Sequence, residues 1–312
     1  MIKKNIKIIL SFLFTIIILF FLLKEIDVHN VIYISKFNIL ALATSLILYL
    51  LIKIINTLRY SNVYKIQPSF ILFFLLCSSN FMLSIIPFRL GELSYVSGMK
   101  KHFKVPCLQV VNNIILIRLV DYILISLIFL ISSIYVSTNI SHESVKFISF
   151  FLILSLIISL LLFYFFVIKD IKLEFTRNIF NKIFTTFKIG IQYISNVSKR
   201  TVFFLFFYSF IYWGLRLFMS YILLFLFGIK LPVFLVVFVS LLLLLFGLLP
   251  TQTFANFGFF EGGWVYFLVL LGFKYDETVS LLLQYHIILL LPVIIYGLIG
   301  IIFLKFIHNS QN

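Results

Sequence analysis

The chain has 312 residues, 63% of them hydrophobic and only 11% charged, with a formal net charge of +15. So apolar a composition excludes an ordinary soluble domain, and the absence of ten-residue segments alternating with a strand period excludes a membrane β-barrel. It predicts an all-α polytopic membrane protein forming a single integral membrane domain over 1–312, whose surplus Lys and Arg face anionic lipid at the cytoplasmic surface rather than nucleic acid. Cys77 and Cys107 lack the spacing of a disulfide framework or metal site and read as packing residues.

Lys3, Lys4 and Lys7 precede an apolar run over 8–23 with no small-residue cleavage site after it, which predicts an uncleaved span with a cytoplasmic N-terminus. A second span is expected over about 39–58, ending at Arg59 and Lys65. Lys53, within a few residues of that end, is expected to snorkel.

Between Pro68 and Lys104 charge decides the topology. A single crossing there would put Lys100, Lys101, His102 and Lys104 outside, and the basic stretch 169–200 with them, against the positive-inside rule. A segment that dips in and returns keeps both in the cytoplasm, and Pro87 with Gly91 supplies the break.

A long helix is predicted over about 106–136, carrying Arg118 and Asp121 one turn apart. A polar loop and a span ending near residue 168 follow, then 169–200 as a cytoplasmic interfacial helix. The second half opens with a span over about 201–227, where Tyr208, Tyr212, Arg216 and Ser220 recur at steps of four and share one face. An apolar run from Pro232 to Pro250 leads into a polar stretch, 251–263, with Gly258 and Glu261. The last span, about 279–304, carries Gln284 and His286, read as packed polar residues.

Both halves have a span, a proline-opened apolar run, a second proline, a buried Glu and a closing span. The expectation is about six full transmembrane helices plus two re-entrant segments in two inverted repeats, repeat A about 39–136 and repeat B about 201–304. Both termini are expected in the cytoplasm of a cytoplasmic-membrane protein.

Ionisable residues at bilayer depth are costly and mark functional pathways. The candidate substrate-binding residues are therefore Arg89, Glu92, Arg118, Asp121, Arg216 and Glu261, with Pro87, Gly91, Pro250 and Gly258 as structural breaks. Arg89 with Glu92, and Arg118 with Asp121, sit three residues apart, so the plainer reading is two local ion pairs that only hold helices in register. Arg216 is satisfied either by Tyr212 and carbonyls or by balancing Glu261. Inversion would bring 87–92 and 251–263 to one cavity lined by Glu92 and Glu261. There is no phosphate loop, H-E-x-x-H, G-x-S-x-G or dinucleotide fingerprint, and no catalytic residue, metal or cofactor is predicted.

The element Pro87-Phe88-Arg89-Leu90-Gly91-Glu92, with Pro250 and Gly258-Phe259-Phe260-Glu261 in the second half, resembles the flippase-like membrane family. That family comprises the transmembrane region of bacterial lysylphosphatidylglycerol synthases and stand-alone relatives, and the likeness extends over nearly the whole chain in segment order. Thr253, Phe254, Ala255 and Asn256 stand where the family usually has glycines. The resemblance implies movement of a lipid or lipid-linked headgroup across the bilayer; the synthases' aminoacyl-transferring domain is not matched, so their enzymatic activity is not expected.

The expected function is a flippase or lipid transporter not driven by ATP, in which Arg89, Arg118 and Arg216 receive a phosphate while Glu92 and Glu261 gate or bind a cationic group. The alternatives are a membrane-embedded transferase acting on a polyprenyl-phosphate or phospholipid, and a non-transporting subunit of envelope-glycan assembly. The expected partners are a membrane lipid or lipid-linked substrate, and envelope-biosynthesis proteins or a second copy of the chain.

Overall fold

A computed structural model describes residues 39–85, 90–139, 197–246 and 254–311. Among them the chain is all-helical: α1 (Ile39–Tyr64), α2 (Phe70–Ile85), α3 (Leu90–Phe103), α4 (Cys107–Asn139), α5 (Lys199–Leu226), α6 (Val233–Phe246), a 3-10 turn (Phe254–Asn256), α7 (Phe259–Leu270) and α8 (Tyr275–Gln311). The expected spans at 8–23 and near 145–168, most of the interfacial stretch 169–200, and Pro87, Arg89 and Pro250 lie outside the described residues.

Helices α1, α4, α5 and α8 are long and apolar enough to cross a bilayer. The others are not: α2 has 16 residues, α3 and α6 have 14, and α7 has 12. At a rise of about 1.5 Å per residue they reach roughly 18–24 Å, short of a hydrocarbon core of about 30 Å. Each pair of short helices instead folds into an antiparallel hairpin. In the first, Gly91 of α3 lies against Ser79 and Leu83 of α2, and Gly98 lies against Leu75. In the second, Phe238 of α6 packs on Phe267 of α7, and Gly263 lies against Leu243.

Local chemistry sets the ends. Helix α1 closes at Lys65, where φ is 54° and the Ile66 amide donates back to the Ser61 carbonyl, and Pro68 then bars continuation. Helix α5 begins at Ser198, whose Oγ accepts the Thr201 amide at 3.2 Å. It ends at Gly228, whose φ of 84° suits the residue without a Cβ.

The principal helix contacts come in matched pairs. Exchanging α1–α4 with α5–α8 maps the α2–α8 contact onto α6–α4, α1–α8 onto α5–α4, and the first hairpin onto the second. The α1–α5 contact maps onto itself. These two helices run antiparallel, because Asn62 near the end of α1 donates to the Thr201 carbonyl near the start of α5, while Arg59 reaches Ser209.

The largest core cluster draws on both halves, joining Ile52, Phe129, Trp213, Phe238, Trp264 and Tyr285. In lipid, helices associate through close packing rather than escape from water. Backbone proximity serves this at α2: a Cβ on Gly91 would stand 2.2 Å from the Ser79 carbonyl oxygen, and one on Gly300 of α8 would stand 2.7 Å from that of Phe74. Large apolar side chains such as Ile47, Phe203, Phe207, Phe210 and Ile302 are left on the outside, where a bilayer would solvate them.

Candidate functional site

Helix α4 carries Arg118 and Asp121, and each is paired across the fold rather than along the helix. Arg118 Nη2 lies 2.5 Å from Glu92 Oε1 on α3, and Asp121 Oδ1 lies 2.7 Å from Arg59 Nη1 on α1. The local pairing of Arg118 with Asp121 is thus not what forms. Two neighbouring helices each present an opposite charge to α4, and the pair one turn apart divides between them. Arg89 lies outside the described residues; Glu92 has Arg118 as its partner.

Arg59, absent from the sequence-derived candidates, is central to this arrangement. It is 3% exposed, donates to Asp121 and at 3.3 Å to Ser209 Oγ, and stacks 4.4 Å over the Tyr212 ring. The polar run Asn56, Thr57, Arg59, Ser61 and Asn62 reads in sequence as the end of a span. In the structure α1 continues to Tyr64, and all but Asn62 are buried against neighbouring helices.

Lys53 also departs from expectation. It lies 11 positions before the end of α1, about 16 Å away along the axis. It is 4% exposed, with its ammonium 5.0 Å from the centre of the Tyr49 ring. Tyr49 in turn accepts a hydrogen bond from Asn80 of α2 and stacks on Tyr296 of α8, so three helices meet in this region.

Arg216 stays exposed, its Nη1 donating at 3.4 Å to the Tyr212 hydroxyl and its guanidinium 5.2 Å from the Trp213 ring. It does not balance Glu261. That carboxylate is fully buried: Oε1 lies 2.7 Å from His286 Nδ1 on α8, and Oε2 accepts the Gly258 amide at 2.7 Å. As the third residue of α7, Glu261 reaches back to cap its own helix, where the dipole favours negative charge. Phe257 and Phe260 flank His286, each with ring centres 4.6 Å away. The spacing of Gly258 and Glu261, a glycine three residues before an acid at a helix start, is the signal in sequence for this cap.

Glu92 and Glu261 consequently do not line one cavity. Glu92 is partly exposed in its pair with Arg118, whereas Glu261 is sealed between α7 and α8. The breaks do approach each other in part, because the 3-10 turn 254–256 touches α2 of the first hairpin. In that turn Ala255 and Asn256 hold φ of 51° and 60°, the left-handed region that favours glycine.

Among the described residues no group of three or more His, Cys, Asp and Glu is placed to hold a metal. The charged chain Glu92, Arg118, Asp121, Arg59 can instead position ionic groups and exchange partners with a charged ligand. The lysylphosphatidylglycerol synthase TM region family matches residues 8–297 of the chain. No curated protein and no solved structure matches it.

Proposed function

Since the chain belongs to the lysylphosphatidylglycerol synthase transmembrane-region family, we propose that it moves a lipid or lipid-linked headgroup across the cytoplasmic membrane without hydrolysing ATP. The observation that carries this reading is the antiparallel α1–α5 crossing, flanked in each half by a short hairpin and threaded by buried charge. If α1 and α5 cross the bilayer, antiparallel packing gives the halves opposite orientations. The hairpins are then re-entrant segments of an inverted repeat, the architecture that supports alternating access to a midplane site. Charge at that depth is costly and is retained for function.

In this reading Arg118 and Glu92, half exposed and joined by one contact, separate to receive the two charges of a headgroup. Arg59 and Asp121 hold α1 to α4 and set the field behind that pair. Glu261 and His286 fix the second hairpin against α8. Arg89, three residues before Glu92 in sequence, is a further cation for the phosphate of the headgroup. Both termini face the cytoplasm.

Purified protein reconstituted in liposomes with a panel of fluorescent lipids tests the proposal. Transfer between leaflets without covalent change is the expected result. A chemically modified lipid would indicate a transferase, and neither transfer nor modification would remove both readings.

A further inference from the structure

A second group of cations lies where α1 crosses α5. Lys53 and Arg59 are both more than nine-tenths buried, and Arg216 is exposed one turn beyond Tyr212. All three act on the Tyr212 side chain: Arg59 stacks over its ring, Arg216 donates to its hydroxyl, and Lys53 is within Coulombic reach. Lys53 is also within reach of both arginines. Asp121 is the carboxylate acting on this group, and Arg59 already engages it. Three cations against one carboxylate leave a surplus of two. Among the described residues no carboxylate pairs with Lys53 or Arg216.

Donors are left over as well. Among the described residues Arg59 Nε and Trp213 Nε1 are buried with no hydrogen-bond partner, and Trp213 lies beneath the Arg216 guanidinium. Buried N–H groups are normally satisfied. Unpartnered donors beside surplus positive charge are complementary to an oxyanion, whose several lone pairs accept from ammonium, guanidinium and hydroxyl together. Lys53 and Tyr212 each stand near the middle of their helix, far from either end.

We infer that the α1–α5 crossing is a half-depth anion site that takes a phosphate group, with Lys53 as its floor and Tyr212 and Arg216 at its open side. Arg59, held by Asp121, adds its field from behind. The inference deepens the transport reading and rests on it for the lipid nature of the ligand; the phosphate chemistry rests on the cluster itself. An anionic phospholipid headgroup and free phosphate share that chemistry.

The test is ligand-dependent thermal stability of the full chain in maltoside micelles, which carry no phosphate. Titrants are short-chain phosphatidylglycerol, inorganic phosphate and uncharged diacylglycerol. Phosphatidylglycerol is expected to raise the melting temperature saturably, as any ligand of the native state does. Lys53→Met and Arg216→Gln should each weaken its apparent affinity by on the order of tenfold or more. Lys53→Met should melt no lower than the parent without ligand, since it removes a buried cation that no carboxylate among the described residues neutralises. Should it fail to fold, the exposed Arg216→Gln variant decides alone.

Equal stabilisation by inorganic phosphate, lost in the variants, upholds the site with the free anion as ligand. Equal stabilisation by diacylglycerol, or full retention of the phosphatidylglycerol effect in the variants, overturns it. Variant-sensitive binding without leaflet transfer in liposomes keeps the site and removes the transport reading. Transfer without variant-sensitive binding does the reverse.

Discussion

Arg59 and Asp121, separated by 62 positions in sequence, meet at 2.7 Å and tie α1 to α4 with both side chains largely buried. Breaking such a pair from one side strands a charge, whereas removing both members is mild. Asp121→Asn should therefore lower stability by about 3–5 kcal/mol, and the double change Arg59→Met with Asp121→Asn should recover much of that loss. Unfolding of the purified single and double variants in one detergent checks this. A double variant no more stable than Asp121→Asn would show that the pair is not the unit of stability.

Glu92 and Arg118 should behave in the opposite manner. Their pair is half exposed, and such pairs are worth about 0–1 kcal/mol. Glu92→Gln and Arg118→Gln are expected to insert and melt close to the parent while leaflet transfer falls at least about tenfold, a rise of roughly 1.4 kcal/mol in the transfer barrier. Parallel melting and liposome measurements separate the two effects. Normal transfer in both variants would take the pair out of the pathway.

The left-handed turn before α7 gives a third expectation. Ala255 sits at φ 51°, and a non-glycine residue there costs about 1–2 kcal/mol, offset in part by the greater freedom glycine has when unfolded. Ala255→Gly should stabilise the protein by about 0.5–1 kcal/mol. Gly258→Ala, at φ 82° and ψ −44°, outside even the left-handed helical well, should destabilise it by about 1–3 kcal/mol. Opposite shifts in denaturant midpoint are the readout.

Topology is checked by cysteine labelling in a background free of Cys77 and Cys107. With the first hairpin re-entrant, a cysteine at Lys101 should react only from the cytoplasmic side, as should positions within 169–200 and both termini. Labelling of position 101 from outside alone would mean that 68–104 crosses the membrane.

The broken segments were legible in sequence because proline, glycine and an isolated acid punctuate apolar runs, and such residues are tolerated in few places. The partners of the charges were not. Arg118 and Asp121 at a spacing of three suggest one another, but spacing along a helix says nothing of what two other helices bring against it. Arg59 and Lys53 were underrated for a related reason. Polar residues near the end of α1 look like an interface until the packing of α2, α5 and α8 encloses them. Glu261 was read as a gating or binding carboxylate; the glycine three residues before it signals the amide it caps, while its contact with His286 depended on how α7 lies along α8.

The matched contacts α2–α8 and α4–α6 share ring pairs, Phe74 on Phe303 at 4.5 Å in the first, but only the first is also closed by glycines, and this divides the molecule's tolerance of substitution. Helix α8 meets α2 through Gly297 and Gly300, where an added Cβ would come within 2.2 Å of Phe81 Cβ and 2.7 Å of the Phe74 oxygen. Helix α4 meets α6 through rings, Phe129 on Phe238 at 5.2 Å and Tyr135 on Phe234 at 5.0 Å. Added atoms injure the glycine joint, while lost rings weaken either. A bulk-increasing scan and an alanine scan of the same chain should therefore return different maps: the first marks Gly91, Gly297 and Gly300, the second marks Phe129 and Phe238 together with Phe74 and Phe303, and Gly214, with nothing among the described residues within 4 Å of an added Cβ, is silent in the first.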